Sequence, residues 1–122
     1  MNEASQKSTG QPRTVLDGVG HSLVITIQAG RMIMSDPLIP DARVEMEKDE
    51  AEIFHAFLAV SLKMPHRSDF SEDLKDGRTL SLQQQGSTHV RLSWKDGGMD
   101  IYPPSWEPLL CEISLILPRL KD

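Results

Sequence analysis

Hydrophobic and polar residues alternate along two short stretches in the first half of the chain. The stretch SLVITIQ places Leu23, Ile25 and Ile27 on one side, which is typical of a half-buried β-strand. RMIMS at residues 31–35 alternates in the same way, and Ala29-Gly30 is a two-residue connection of the kind that closes β-hairpins. We therefore predict that these two stretches pair as a hairpin.

A third strand and a helix follow this hairpin. DPLIPD contains two prolines that cannot donate to a strand ladder, so it is predicted to be a loop or a frayed sheet edge. ARVEME alternates again, with Val44 and Met46 facing inward and Glu45 and Glu47 facing water. The helix should begin near Asp49, because Asp49 and Glu52 are spaced as in a capping box. Its predicted buried face consists of Ile53, Phe54, Phe57, Leu58 and Leu62.

The second half of the chain repeats this order of elements. HRSDFSEDLKDG is polar and predicts a surface connection, after which TLSLQQ, HVRLSW and GMDIY alternate as a meander of three antiparallel strands. The predicted buried residues of this meander are Leu80, Leu82, Val90, Leu92, Trp94, Met99 and Ile101. A last helix is predicted to begin after Ser105 and to bury Trp106, Leu109, Leu110, Ile113, Ile116, Leu117 and Leu120.

These elements predict an α+β fold in which a β-β-β-α unit occurs twice. Met99–Leu117 aligns with Val44–Leu62 without a gap, as strand, polar turn and helix in both cases. The sequence therefore predicts antiparallel sheet(s) with two helices, in a single domain over residues 21–122 with pseudo-repeats at about 21–64 and 78–120. Residues 1–20 are rich in Ser, Gln, Gly and Thr, which predicts a flexible tail.

Charge and composition narrow the classes of partner. The chain has 13 basic and 18 acidic residues, a net charge of −5, which makes a basic protein partner more plausible than nucleic acid. A single cysteine excludes an internal disulfide and a cysteine-cluster metal site. Because no apolar stretch reaches the roughly 20 residues of a membrane span and no signal peptide is evident, we expect a cytoplasmic protein with no membrane contact.

The sequence contains no recognisable catalytic or metal-binding pattern. The four histidines lack the i, i+4 spacing that brings two imidazoles to one zinc ion. Cys111 lies between apolar residues and is interpreted as a core residue, and Gly97-Gly98 precedes a strand, where a phosphate-binding loop would directly precede a helix. We therefore predict a protein that is not an enzyme, with no metal and no cofactor.

The most suggestive feature is the acidic run DARVEMEKDEAE. Its carboxylates lie on the outer face of one strand and in the first turn of one helix, where they would form a compact negative patch. One interpretation is a solvated face that compensates the helix dipole. The other is a docking surface for a basic protein partner. The candidate partner-binding residues are Asp41, Glu45, Glu47, Asp49, Glu50 and Glu52.

The order of elements resembles that of small bacterial immunity proteins of the WapI-immunity type. The resemblance lies in the helix AEIFHAFLAVSL, the stretch DFSEDLKDGRTLSLQQQGSTHVRLSW, and the final strand and helix. It implies a stoichiometric inhibitor of a cognate toxin, and a phage or plasmid protein that blocks a host defence enzyme would look the same.

Two other classes fit the same order of elements. The two units also resemble Whirly-type single-strand nucleic-acid binders, although the chain shows neither a stacking platform nor a basic funnel. A self-associating subunit is the third reading, with RMIMS as an edge strand that pairs across a homodimer axis.

Overall fold

The computed structural model describes residues 13–16, 22–37, 39–64, 70–84, 88–95 and 97–121. It contains two four-stranded antiparallel sheets and two α-helices. Sheet A consists of β1 (Arg13–Leu16), β2 (Ser22–Gln28), β3 (Arg31–Asp36) and β4 (Ile39–Met46), and it is followed by α1 (Lys48–Lys63). Sheet B consists of β5 (Ser71–Asp73), β6 (Thr79–Gln83), β7 (His89–Trp94) and β8 (Gly97–Ile101), and it is followed by α2 (Pro103–Ile116).

The predicted α+β fold is confirmed, but each unit has four strands where three were predicted. The added strands, β1 and β5, both form the first strand of their unit. β1 pairs with β2, so the prediction of a flexible tail is wrong for residues 13–16, and the rest of residues 1–20 lies outside the described residues. β5 falls within the predicted surface connection and is exposed along its whole length, as expected for a short, charged edge strand.

The strands of each sheet pair in chain order. In sheet A, β3 pairs with β2 on one side and with β4 on the other. The prediction that RMIMS is a free edge for a homodimer is therefore wrong, because both of its edges are occupied. β4 begins at Ile39, within the segment predicted as a loop, and a register shift between Ser35 and Asp36 accommodates this start.

One hydrophobic core includes both sheets and both helices. The alternating residues predicted for the strands are buried except for Trp94, which is partly buried. Phe54, Phe57 and Leu58 of α1 and Trp106, Leu109 and Ile113 of α2 are buried as well. β4 and β8 lie close together, and α1 packs against α2. Since each helix directly follows the last strand of its sheet, the starts of both helices lie near the junction of the two sheets.

The start and the buried face of α1 differ from the prediction. The N-cap is Glu47, and its backbone N–H donates to the Glu50 carboxylate at 3.4 Å, so the capping pair lies two residues before the predicted Asp49 and Glu52. The buried residues of α1 are Glu50, Ala51, Phe54, Phe57, Leu58 and Ser61. Leu62, predicted to be buried, is 42% exposed. Compared with the prediction, the buried face of α1 therefore also contains Glu50 and the small residues Ala51 and Ser61.

α2 begins at Pro103, three residues before the predicted start at Trp106, with prolines in its first turn. Leu110 and Leu117 are only partly buried at the edge of the core. Cys111 is exposed, so its interpretation as a core residue is wrong. It lies about 200° around the helix from Leu109 and Ile113, which are both buried.

A groove lined by paired charges

The six predicted partner-binding residues fall into three classes in the structure. Glu45, Glu47, Asp49 and Glu52 are exposed, on β4 and at the start of α1. Glu50 is buried, with 2% of its surface exposed. Asp41 belongs to β4, but its side chain is outside the described residues.

Basic residues lie between the carboxylates on the surface of sheet A. Glu45 forms an ion pair with Arg43 at 3.0 Å and another with Arg31 at 3.8 Å. Arg31 also lies 3.9 Å from Glu47. The register brings these residues together, since β3 and β4 are neighbours and Ile33 is paired with Glu45. The acidic strand and the basic positions are therefore parts of one surface.

The connection between β5 and β6 reaches the start of α1. The ammonium group of Lys75 lies 2.7 Å from a carboxylate oxygen of Glu47 and 2.7 Å from one of Asp49. The hydrogen bond with Lys75 lowers the pKa of Asp49 below its ordinary value of 3.8. Hydrogen bonds to Asp49 and then Glu47 raise the pKa of Lys75 above its ordinary value. All three side chains are about half exposed, so solvent screens these interactions.

Glu50 is the buried residue in this contact between the β5–β6 connection and the start of α1. One oxygen accepts the backbone N–H of Lys75 at 3.1 Å and lies 3.6 Å from the guanidinium of Arg78. Arg78, only 15% exposed, also donates to the backbone carbonyl of Glu45 and to Asp76. We call this set the clasp: residues 75–78 of the second unit holding Glu47, Asp49 and Glu50 of the first. A buried carboxylate is tolerated here because charged and backbone donors surround it.

An open groove of about 510 Å³ lies next to the clasp, at the junction of the two units. We call it the arginine groove. It is lined by Arg31, Arg43, Val44, Glu45, Glu47, Glu50, Asp76, Arg78 and Trp94. A smaller depression of about 330 Å³ shares Glu47 with it and is lined by Glu47, Lys48, Asp49, Glu52, Lys75 and Lys121.

The charges of this surface balance. Together the two linings contain six acidic and six basic side chains, so the compact negative patch predicted from the acidic run is wrong as a description of the surface. Arg43 and Lys48 lie within the acidic run itself. The other four basic residues come from β3, from residues 75–78 and from Lys121, and local sequence did not place these beside the run.

Trp94 gives the arginine groove its aromatic wall. It ends β7 and is half-buried, although its place in the alternating pattern predicted a core position. Its indole nitrogen would lie 3.1 Å from a Cβ at Gly97, so this glycine leaves room for the ring. Aromatic and arginine side chains are the residue types most enriched at protein-binding hot spots, and here they share one groove.

A second polar cluster lies on the outer face of sheet B. The register places Arg91 beside Asp100, and their side chains form an ion pair at 2.8 Å. His89 lies 3.4 Å from the same carboxylate, and its ring lies 5.4 Å from that of Tyr102. Gly98 allows this arrangement, because a Cβ there would come within 2.5 Å of the Arg91 guanidinium.

A serine and a histidine meet between the two helices. The Nε2 atom of His55 lies 2.9 Å from the hydroxyl of Ser114. Ser114 is inside α2, where the neighbouring backbone N–H groups are committed to the helix and cannot form an oxyanion hole. Within the described ranges, no further residue orients the imidazole and no metal-binding group of His, Cys, Asp or Glu occurs. This pair therefore links the helices.

No helix in the described part of the chain is long and apolar enough to cross a membrane. Comparison of the sequence with models of known protein families and with curated proteins returns no match.

Proposed function

We propose that this protein is a non-catalytic inhibitor that binds a protein partner through the arginine groove and its rim. An immunity protein that neutralises a toxin, or a protein that blocks a host defence enzyme, acts in this way. The observation that carries the proposal is the arrangement of Trp94, Arg31, Arg43 and the carboxylates around one open groove. Three of the six residues selected from the sequence, Glu45, Glu47 and Glu50, line this groove.

Fixed charge pairs favour recognition of a specific protein. Each groove carboxylate has a cationic neighbour, and the clasp holds several of these groups in place. A partner must match this pattern of charges, and a wrong juxtaposition of like charges costs several kcal/mol. The net charge of −5 is complementary to a partner that is basic as a whole, which speeds the encounter.

The nucleic-acid alternative has less support. The uncovered face of sheet B carries one arginine near one aromatic pair, and Asp100 neutralises that arginine. A single-strand binder uses several stacked aromatics along a basic groove. On this face, the described residues show one ring pair, His89 with Tyr102, and its rings are tilted by 41° and do not stack.

Binding measurements with matched variants test the proposal. A partner captured from the native host is purified, and its affinity is measured for the wild type, for E45Q/E47Q and for E72Q/E107Q. Both double variants remove two exposed carboxylates, but Glu72 and Glu107 do not line either depression. We expect E45Q/E47Q to weaken binding at least about 10-fold, or about 1.4 kcal/mol, and the control to change it by less than about 2-fold.

The same preparation tests inhibition. If the captured partner is an enzyme, its activity should fall to zero at one equivalent of this protein. Equal losses in both double variants would show that only net charge matters and would refute binding at the groove. Retention that disappears on nuclease treatment would refute a protein partner.

A further inference from the structure

The rim arginines of the groove, Arg31 and Arg43, have hydrogen-bond donors that no described residue accepts. Arg31 is 53% exposed, and its two ion pairs, at 3.8 and 3.9 Å, are beyond hydrogen-bond distance. Arg43 is 49% exposed and donates through one nitrogen to Glu45. A guanidinium carries five N–H groups, so most donors of both side chains remain open to a ligand.

The third arginine of the groove differs from these two. Arg78 is mostly buried and is committed to Glu50, Asp76 and the carbonyl of Glu45. The floor of the groove is therefore fixed by the clasp, while the rim offers free donors.

Every carboxylate of the groove lies within 4 Å of at least one cationic group. Glu45 has a cation near each oxygen, and so does Glu47. Glu50 and Asp76 are both paired with Arg78. A cationic ligand would therefore have to displace an existing cation, whereas an anionic ligand can bind to donors that are still open.

We propose that the groove binds a carboxylate side chain of the protein partner between Arg31 and Arg43, with its methylene stem against Trp94. The proposal rests on the function proposed above and names one anchor on the partner. A carboxylate accepts paired N–H bonds from guanidinium groups, and an aromatic wall packs against a short aliphatic stem. A partner that is basic as a whole can still present one glutamate or aspartate here.

The net charge of the groove lining favours a ligand with a single negative charge over a phosphate. The groove contains three arginines and four carboxylates, a net charge of −1. Repulsion grows with the charge of the ligand, so a monoanion on a flexible stem is accepted more readily than a dianion or a nucleic-acid backbone.

The test uses the whole protein and short peptides, so it does not depend on identifying the partner. Indole N–H signals are followed by NMR while Ac-Gly-Glu-Gly-NH₂, its Gln and Lys counterparts, or inorganic phosphate is added. The chain contains two tryptophans. Trp94 lines the groove, whereas Trp106 is buried and donates to the carbonyl of Ile101 at 2.9 Å, so Trp106 is an internal control.

We expect the glutamate peptide alone to shift the Trp94 signal, with saturation in the millimolar range and no change at Trp106. R31Q/R43Q should weaken this binding at least about 10-fold, while R119Q, at an exposed arginine outside the groove, should leave it unchanged. An unchanged Trp106 signal in each variant shows that the fold is intact.

Several results would overturn the proposal. They are an equal response to the lysine peptide, a stronger response to phosphate, or unaltered glutamate binding in R31Q/R43Q. None of these would by itself exclude a protein partner at the groove, and failure of the partner-capture experiment would leave the peptide result standing. The two proposals therefore fail separately.

Discussion

The two helices begin at equivalent places in the two units but are stabilised differently. Met46 and Ile101 end the last strands, and Lys48 and Pro103 begin the helices, a constant separation of 55 residues (101 − 46 and 103 − 48). The same separation relates Glu50 to Ser105, and both are buried polar residues, at 2% and 1% exposure.

The difference lies in what the first turn contacts. α1 starts with acidic residues that the clasp of the other unit holds, whereas α2 starts with two prolines and has no acidic residue in its first turn. Pro at a helix start needs no donor partner and has a suitable φ angle. The start of α2 is thus stabilised locally, whereas that of α1 has both a local capping pair and contact with the second unit. The groove lies where that second contact is made.

Replacing the two equivalent residues should give the largest difference. We expect E50A to lower the free energy of unfolding by about 3 kcal/mol, because it removes the buried partner of Arg78, and S105A to lower it by less than about 1 kcal/mol. E50Q should be intermediate, since it keeps the volume and one acceptor. Urea unfolding followed by circular dichroism measures all three. Equal losses for E50A and S105A would show that the clasp adds nothing to the stability of α1.

Alanine substitutions at two glycines with similar backbone conformations, one in each unit, extend the comparison of the units. Gly30 and Gly77 have φ angles of +77° and +75°, so alanine costs about 1 kcal/mol at either position. At Gly30 an added Cβ would also meet the Cβ of Lys121 at 2.5 Å, while at Gly77 it meets nothing within 4 Å. We expect G77A to lose about 1 kcal/mol and G30A clearly more. Thermal unfolding of the two variants measures this, and equal losses would show that contact with Lys121 is unimportant.

Removal of Lys75 should give the smallest effect, visible mainly in its pH dependence. The folded pKa of Asp49 is lowered by Lys75, so this contact stabilises the fold above the unfolded pKa of Asp49. Its contribution is lost as the pH falls through the lowered folded value. K75M should move the pKa of Asp49 back toward 3.8, measured by carboxyl NMR, and should flatten the stability curve at acid pH. An unchanged pKa would mean that the ion pair is absent in solution.

Local pattern predicted the fold where burial alone determines structure. Residues such as Ile25, Leu82 and Val90 alternate because one face of each strand is covered, and all three are buried as predicted. The strands β1 and β5 were not predicted, since they have four and three residues and β5 has no apolar face. Such a short strand forms because it pairs with the free edge of a neighbouring strand. The pattern of residues within the short strand does not reveal this pairing.

The candidate site was predicted only in part, for a related reason. Alternation correctly placed Glu45 and Glu47 on the surface. The burial of Glu50 depends on donors 25 and 28 residues further along the chain, at Lys75 and Arg78. Local spacing cannot show such partners, so a structural carboxylate was grouped with exposed ones, and the arginines that line the groove were not selected.

The clasp also has a consequence for the order of folding. Within each sheet, strands pair with their neighbours along the chain, which requires the closure of short loops only. The clasp joins residues 25 to 28 positions apart, and it can form only after both units have taken shape. We therefore expect it to be absent from the folding transition state. Stopped-flow measurements on E50A should then show faster unfolding and a nearly unchanged refolding rate, so the clasp determines how long the native state persists.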